Sequence, residues 1–498
     1  MPLDCWSLIK ESNRPDLWAK FLFAREYLNN CLVKDSTKEA YLETIKYMNG
    51  FVEDTPKKLS SDQYFQQFIE LIESIKLNGY RDDFGTSIVL TRNKKILDGA
   101  HRIAVCAALD ISPRFTAVDP DNEQDYSFQR LEKRGLSEHL TFNILRNALL
   151  HNQEYRLLLI FPVSPISRQQ EKVLKRYSND IIYRRSIESN LNLIQVCKYI
   201  NYVIGDGISE IPKWIGFQTK QLASIYEQAV LSHGKSKLQI LVVRKDDVCV
   251  AMKKELRSLI GLGNYSCHSS DSNFESILLL EQLLDSKSRL LAMEVGLGTS
   301  MEVLDSLRRI ICLGREAKIQ GKEIVITGST ILSLHGLREI LDIDILTDFP
   351  ISPMELLQVC KQLPINLVVE AEVDTHRQIV EIFGASYFLG LRVITIDGIK
   401  QLKRVRNEVP KDLIDLKLID DYQSNLITRD ENEFKSLIGT SLVGKLSWRL
   451  LRMRELVRIK FKNRFFLFKV LQFFYRVSRS IFSLVYRLAI RIRSAISR

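Results

Sequence analysis

The pattern of hydrophobic and polar positions predicts a chain in which helices alternate with short strands. From Tyr64 to Ile75, apolar residues recur at spacings of three and four, which predicts an amphipathic helix. Continuous apolar runs have the length of buried strands and are bounded by turn-forming or charged residues. These runs occupy residues 87–91, 156–161, 238–243 and 323–327. Strands separated by helical stretches favour α/β units over an all-helical or all-β fold.

This alternation divides the chain into four parts. Residues 1–150 are predicted to form helices around a small mixed α/β unit, and residues 151–295 a second α/β unit. Residues 296–430 are predicted to begin with a helix over 301–318, followed by strands of a mixed sheet. Residues 431–498 form a tail. A chain of 498 residues is too long for one compact core, and so a multidomain protein with α/β and α+β units is expected.

Charge is distributed unevenly along the chain. The sequence holds 71 Lys and Arg against 60 Asp and Glu, but 15 of the basic residues and a single acid lie within residues 441–498. The rest of the chain is therefore slightly acidic, and the tail is expected to bind an anionic partner. The eight cysteines form no C-x-x-C pair, which favours reduced thiols. Acidic residues interrupt the first 30 residues, so no secretory signal is expected and a cytoplasmic location is predicted.

The tail alternates basic with aromatic and aliphatic residues. Its longest uncharged run, Ser480 to Tyr486, has seven residues, far fewer than the roughly 20 that span a bilayer. The pattern predicts amphipathic helices that bind an anionic membrane surface through residues 446–498, on the inner face of the membrane. Nucleic acid is the less favoured anionic partner. A helix packed on the body, with its arginines extended toward solvent, is the structural alternative.

The chemistry-bearing pattern of the third part is a strand, a Gly-Ser turn, a helix and an Asp-x-Asp triplet. Gly328 and Ser329 follow the apolar run and precede a helical stretch, so backbone N–H groups there can bind phosphates. Asp342 and Asp344 are predicted at the end of a strand, where residues i and i+2 face the same side. Two carboxylates at that spacing can hold Mg²⁺ or Mn²⁺ beside a nucleotide. The alternative is a solvent-exposed strand end with two unrelated acids.

This segment, Val325 to Thr347, resembles the DNA polymerase β-type nucleotidyltransferase superfamily. The resemblance implies a domain over about 322–422 that uses an NTP as substrate, with Asp342 and Asp344 as catalytic metal ligands. It also implies further nucleotide-binding side chains before the aspartates and on a later helix. The residues at matching positions are Arg338, Lys403, Arg406 and Lys411.

The resembled family uses a third carboxylate on a later strand. Glu370, Glu372 and Asp374 are the candidates, of which Asp374 is assigned to the catalytic set, and His376 is expected near the same metal site. Without a third carboxylate in place, the domain would bind nucleotide without catalysis.

A second motif lies in the first part, where a predicted strand ends in Asp98 and Gly99 and a helix follows. Gly99 permits close backbone approach, and His101 and Arg102 offer hydrogen bonds to an anion. The box resembles the ParB/sulfiredoxin-like superfamily, which implies that Asp98, Gly99, His101 and Arg102 bind nucleotide phosphates. Some members of that superfamily are small-molecule kinases. The alternative is that Asp98 caps the helix and Arg102 pairs on the surface.

The second part offers a small group of potential ligands. His268, Asp271 and Glu275 lie within eight residues and could form a metal or general-base site. The alternative, favoured for Asp271, is an N-cap at the start of a helix. His268 stays open between the two interpretations.

Together these features predict a Mg²⁺-dependent nucleotidyltransferase with a ParB-like, kinase-like unit. The expected acceptor is a small hydroxyl or phosphorylated compound, such as a sugar, polyol or glycan of bacterial surface polysaccharide synthesis. One alternative is a nucleotide-sensing regulatory protein with inactive domains. Another is a toxin-like transferase that modifies RNA or protein.

Overall fold

A computed structural model describes most of the chain between residues 4 and 429. The described residues fall in these ranges: 4–54, 57–58, 60–81, 88–119, 125–162, 167–201, 237–262, 266–297, 301–339, 342–351, 364–368, 370–406 and 411–429. The predicted basic tail, 431–498, lies outside them, and its amphipathic helices stay a prediction. None of the helices in these ranges is long and apolar enough to cross a membrane.

The first unit packs helices around a three-stranded sheet. Its helices are α1 (Cys5–Lys10), α2 (Pro15–Asn30), α3 (Asp35–Asn49), α4 (Ser61–Asn78), α5 (Ala100–Ala108), α6 (Phe128–Arg134) and α7 (Glu138–His151). The two-residue strands β1 (Glu53–Asp54) and β2 (Lys57–Lys58) form a small hairpin. The larger sheet has the order β4-β3-β5, from β3 (Ile88–Thr91), β4 (Ile96–Asp98) and β5 (Phe115–Val118). The predicted helix over Tyr64 to Ile75 is confirmed by α4, which Ser60 caps by accepting a hydrogen bond from the Gln63 amide.

The second unit contains a four-stranded antiparallel sheet of order β7-β8-β6-β9. Its strands are β6 (Arg156–Ile160), β7 (Ile181–Glu188), β8 (Lys237–Val243) and β9 (Cys267–Ser269). Helices α8 (Arg168–Arg176), α9 (Leu191–Tyr199) and α10 (Asp246–Ile260) connect them, and α8 packs against α10. This order and connectivity are those of a β-α-β-β-α-β, ferredoxin-like arrangement with an insertion between β7 and β8. The runs predicted at 156–161 and 238–243 are thus confirmed as strands.

Two helices, α11 (Asn273–Leu284) and α12 (Ser286–Val295), lead to the third unit. The helix predicted over 301–318 is divided at Gly314 into α13 (Met301–Leu313) and α14 (Arg315–Ile319). A mixed sheet of order β12-β11-β10-β14-β13 follows. Its strands are β10 (Ile324–Thr327), β11 (Ile343–Thr347), β12 (Ile365–Leu367), β13 (Ala385–Phe388) and β14 (Leu391–Ile394). The remaining helices are α15 (Thr330–Leu334), α16 (Glu370–Phe383), α17 (Ile396–Arg406) and α18 (Lys411–Arg429).

Buried charges join the three units. Arg146 of α7 contacts Glu281 of α11 at 2.8 Å and also pairs with Glu323, just before β10. Glu281 further contacts Lys318 of α14 at 2.8 Å, and Tyr387 of β13 donates to Glu323 at 2.7 Å. The buried hydrophobic residues of all three units form one continuous cluster. The described parts of the three units therefore contact one another through these charges and through the hydrophobic cluster.

Candidate functional site

The Gly-Ser turn lies at the end of β10, as the sequence predicts. Gly328 has a positive φ of 63°, a conformation that side chains with a Cβ seldom adopt. A Cβ at Gly328 would overlap the carboxylate of Asp344 and lie 3.1 Å from its carboxyl carbon. The backbone therefore passes directly over this carboxylate, and α15 begins two residues later. Ser329 is the residue that precedes α15, and it is largely buried.

The two aspartates lie at the beginning of β11, and the prediction that a strand ends there is wrong. β10 and β11 are antiparallel, with Thr327 paired to Asp344, so the first residues of β11 lie beside the last residues of β10. This pairing explains how the carboxylates reach the Gly328 turn. Ile343 is fully buried between them, as expected for alternating positions on a strand.

Burial and a neighbouring carboxylate determine the electrostatics of Asp344. Burial raises the pKa of Asp344 above its ordinary value, and the neighbouring charge of Asp342 raises it further. The amide of Asn366 and the charges of His376 and Arg406 act in the opposite direction. Two carboxylates that repel each other in a partly buried site are the ligand arrangement that a divalent cation stabilises.

Asn366 occupies the position beside the two aspartates on the next strand. It pairs in parallel register with Asp344, and its Nδ2 donates to the Oδ2 of Asp342 at 3.1 Å. The stretch proposed to carry a third carboxylate on a strand is instead the helix α16, because β12 ends at Leu367. Asp374 lies on this helix and is exposed. The side chains of Glu370 and Glu372 lie outside the described residues.

His376, two residues after Asp374, is buried on α16 with 6% exposure. Its charge is near enough to lower the pKa of Asp344, which agrees with the expectation that it lies near this site. The described corner therefore combines two carboxylates, an amide and an imidazole.

Three of the four basic residues assigned to nucleotide binding in this unit pair with acids of α18. Arg338 contacts Asp415 at 2.6 Å, and Lys403 contacts the same residue at 2.6 Å. Lys403 and Arg406 both contact Asp412, at 3.1 Å and 2.7 Å. Asp412 and Asp415 are fully buried. These pairs fix α17 and α18 beside the turn, and Lys411 is exposed at the first position of α18.

The Asp98–Arg102 box forms a strand-turn-helix, as predicted. Gly99 has a φ of 88° and is the residue preceding α5, and a Cβ there would lie 3.0 Å from the Ile88 side chain. Asp98 does not cap the helix through its first-turn amides. It accepts a hydrogen bond from the Gly99 amide at 2.6 Å and one from Arg102 at 3.1 Å.

His101 points into an aromatic cluster below this box. Its Nε2 lies 3.0 Å from the hydroxyl of Tyr41, and its ring centroid lies 4.8 Å from that of Phe68. Tyr64 approaches the same ring at 6.4 Å. His101 thus packs partly as a core residue, while Asp98 remains exposed at the rim of the turn with 63% of its side chain accessible.

The third group of interest lies where β9 meets α11. The Nε2 of His268 contacts the Oε1 of Glu275 at 2.7 Å, and both residues are buried. The N-cap of α11 is Ser272, whose hydroxyl accepts a hydrogen bond from the Glu275 amide at 3.1 Å. The favoured prediction that Asp271 caps this helix is therefore wrong. Burial raises the pKa of Glu275 to about 8.

Several residues of these sites could not be identified from sequence patterns. No motif marks Asn366, because its place beside the aspartates depends on the register of β12 with β11. Asp412 and Asp415 follow a Lys-x-x-Arg stretch at i and i+3, and that spacing on α18 was the available signal.

Comparisons of the chain with protein-family models, curated proteins and solved structures found no match.

Proposed function

We propose that the third unit binds a nucleoside triphosphate together with Mg²⁺ or Mn²⁺ and transfers its nucleotidyl group to an acceptor. The observation that carries this proposal is the packing of the Gly328 turn over the carboxylate of Asp344, with Asp342 beside it. A glycine at this point lets the Asp344 carboxylate approach the turn, and the backbone amides of the turn would bind the phosphate chain beside the two carboxylates.

The residues present fit a divalent cation, because Asp342 and Asp344 repel each other and offer hard oxygen ligands. When bound, the cation neutralises charge on the triphosphate. In the proposed reaction, an acceptor oxygen forms a bond to the α-phosphorus. The bond from that phosphorus to the bridging oxygen of the β-phosphate breaks, and pyrophosphate leaves. The acceptor oxygen, if it is a hydroxyl, gives up its proton to solvent or to a nearby base.

The other units suggest where the acceptor is made and used. The box of Asp98, Gly99, His101 and Arg102 is proposed to bind nucleotide phosphates in a kinase-like unit that phosphorylates a small hydroxyl compound. The basic tail, 446–498, is proposed to bind anionic lipid at the inner membrane surface. A sugar, polyol or glycan of surface polysaccharide synthesis is the proposed acceptor class, and the protein is proposed to be cytoplasmic and peripheral on the membrane.

A second candidate function is nucleotide binding without transfer. Two observations favour it: Asn366 stands where a carboxylate would complete the site, and Arg338, Lys403 and Arg406 each contact a buried aspartate. In this case the protein is a nucleotide-responsive regulator.

Pyrophosphate release separates the two candidates. The full chain is incubated with each of the four NTPs and Mg²⁺ or Mn²⁺, with sugars, polyols, their phosphates, RNA and protein as acceptors. Transfer predicts cation-dependent release that Asp342→Asn and Asp344→Asn reduce at least a hundredfold. Asp348→Asn, on the same segment beyond β11, is the matched control and leaves release unchanged.

Binding is measured in parallel by calorimetry with a non-hydrolysable NTP analogue. Binding without turnover for any acceptor supports the regulatory function. If the protein shows neither nucleotide binding nor turnover, both functions are excluded for this unit. Turnover on RNA or protein alone identifies a toxin-like transferase.

A further inference from the structure

One buried carboxylate differs from all others in the described part of the chain. Six Asp and Glu residues are buried there: Asp16, Glu275, Glu281, Asp305, Asp412 and Asp415. Five of them contact two Lys or Arg side chains each. Within the described ranges, Glu275 contacts neither a lysine nor an arginine, and its ionic contact is to His268. A fully buried carboxylate without such a partner is costly, and this cost needs an explanation.

The surroundings of Glu275 are organised around its two oxygens. Oε1 faces the Nε2 of His268 at 2.7 Å, and Oε2 accepts a hydrogen bond from the Asp271 amide at 2.7 Å. Ser272 fixes the first turn of α11. One ligand atom from each of His268, Asp271 and Glu275 lies within 4.8 Å of the others. Among the described residues, these three form the one group of His, Cys, Asp or Glu side chains that is close enough together to hold a metal ion with three ligands.

From this geometry we propose that His268, Asp271 and Glu275 bind one divalent transition-metal ion of the Zn²⁺ class. Three protein ligands at about 2.0–2.2 Å from a tetrahedral ion lie roughly 3.3 Å from one another. The Nε2 of His268 and the Oε1 of Glu275 lie 2.7 Å apart, and one ligand atom of each of the three residues lies within 4.8 Å of the others. A bound ion would therefore take the place of the hydrogen bond between His268 and Glu275. The imidazole selects against Mg²⁺ and Ca²⁺, which prefer oxygen ligands.

The position of Asp271 makes this an open site. His268 and Glu275 are buried, whereas Asp271 is exposed at the edge of the pair. An ion can therefore enter from the Asp271 side and keep a fourth position for water or a ligand, as catalytic zinc sites do. The Asp271 carboxylate is available for this role because Ser272 caps the helix.

Basic residues surround the group without contacting Glu275. The charges of Lys198, Lys253 and Arg257 all act on the imidazole of His268, while that of Asp271 acts in the opposite direction. Arg257 donates two hydrogen bonds to the carbonyl of Cys267, at 2.9 Å and 3.1 Å. These cations favour an anion, such as hydroxide or a carboxylate, at the open metal position.

The competing explanation is a protonated Glu275 that shares its proton with a neutral His268 and binds no metal. Burial raises the pKa of Glu275 and lowers that of His268, so a neutral hydrogen-bonded pair is chemically sound. A buried acid-base pair could be structural or could move protons, and metal binding decides between the two explanations.

Cobalt is the probe, because Co²⁺ replaces Zn²⁺ and absorbs visible light in a low-symmetry tetrahedral site. The full chain is freed of metal with a chelator and titrated with CoCl₂, and then with ZnCl₂ in competition. The variant Asp342→Asn/Asp344→Asn removes the other candidate cation site, so that failure of the proposed nucleotidyl transfer does not affect this test. His268→Gln and Glu275→Gln keep the side-chain size, and His139→Gln is the exposed-histidine control.

We expect one Co²⁺ with tetrahedral absorption bands in the wild type, in the double aspartate variant and in His139→Gln. His268→Gln and Glu275→Gln should weaken binding at least a hundredfold while the far-ultraviolet circular dichroism stays unchanged. Asp271→Asn, at the exposed edge, should weaken it about tenfold or more. The absence of bands in the wild type, or bands that persist in both His268→Gln and Glu275→Gln, overturns the metal site. If His268→Gln or Glu275→Gln does not fold, Asp271→Asn is tested in its place. Undiminished Co²⁺ binding by Asp271→Asn also overturns the metal site.

Discussion

Gly328 and Asp344 are in direct contact across the end of two antiparallel strands, so that a side chain at Gly328 would occupy the position of the Asp344 carboxylate. Thr327, the last residue of β10, pairs with Asp344. This relationship brings the turn that we propose to bind phosphate and the carboxylate that we propose to bind a metal ion to the same corner of the sheet.

Replacement of Gly328 by alanine tests this contact. Gly328→Ala introduces a methyl group that must displace the carboxylate, and the positive φ adds strain of about 1 kcal/mol. Gly336→Ala is the matched control, because Gly336 has a similar φ of 67° and no atom near its Cβ position. We expect both variants to lose a similar stability from backbone strain, while only Gly328→Ala loses Mg²⁺-dependent NTP binding, by at least tenfold. Equal NTP affinities in calorimetry would contradict this interpretation.

The second prediction concerns the amide beside the aspartates. Asn366→Asp places a third carboxylate next to Asp342 and in register with Asp344. Repulsion among three carboxylates should destabilise the metal-free protein by about 1 kcal/mol. Millimolar Mg²⁺ should restore this loss and bind more tightly than in the wild type. Thermal unfolding with and without Mg²⁺ measures both effects.

Asn366→Leu provides the control for that substitution, since it removes the amide without adding charge. Its unfolding temperature should gain no Mg²⁺ dependence over the wild type. If Asn366→Asp responds to Mg²⁺ no more than Asn366→Leu does, β12 is not part of the cation site.

The sequence patterns located strands and turns well but not the relations between strands. The runs that became β6, β8 and β10 are continuous and apolar because they are buried, and burial leaves a local signal. The position of Asp342 and Asp344 at the beginning of β11 depends on antiparallel pairing with β10, which hydrophobicity does not encode. Asn366 lies beside the aspartates because β12 pairs with β11 in a register that places it opposite Asp344. This pairing joins residues that are distant in sequence.

Capping and ion pairing show the same limit. Asp271 and Ser272 are adjacent and both have side chains that cap helices, so composition could not choose between them. Asp412 and Asp415 look like surface acids in an isolated sequence, and their burial depends on α17 folding against α18. The sequence pointed to Lys403 and Arg406 as basic residues of interest, but it did not indicate that Asp412 and Asp415 pair with them.

The third prediction concerns the buried charges that join the units. Glu281 is fully buried between Arg146 and Lys318, so Glu281→Gln leaves two cations with one fewer carboxylate. Removal of one member of such a buried network costs about 3 to 5 kcal/mol. Urea unfolding followed by fluorescence should show this loss.

Arg92→Gln serves as its control, because the Arg92–Asp119 pair is largely exposed, with 78% and 65% of the two side chains accessible. Exposed pairs contribute little to stability, and the urea midpoint should stay near that of the wild type. A Glu281→Gln midpoint equally close to the wild type would show that the units do not depend on this network.

The last prediction concerns pH and the His151 side chain at the end of α7. His151 Nδ1 lies 3.0 Å from Nη1 of Arg25, so the neutral imidazole can accept a hydrogen bond from the guanidinium. Burial and, to a smaller extent, the charge of Arg25 together lower the pKa of His151 to about 4. Because the folded pKa lies below the unfolded value of 6.5, the folded state binds fewer protons between pH 6.5 and 4. Stability from this group is therefore fully present above pH 6.5 and is lost as the pH falls toward 4, by roughly 2 kcal/mol after allowance for partial exposure.

His151→Gln retains an acceptor for Arg25 but does not titrate, so its free energy of unfolding should fall less than that of the wild type across this range. The exposed His139→Gln should follow the wild type. Parallel curves for His151→Gln and the wild type in urea unfolding at pH 4.5 to 7.5 would show that Arg25 and His151 are not coupled as the structure indicates.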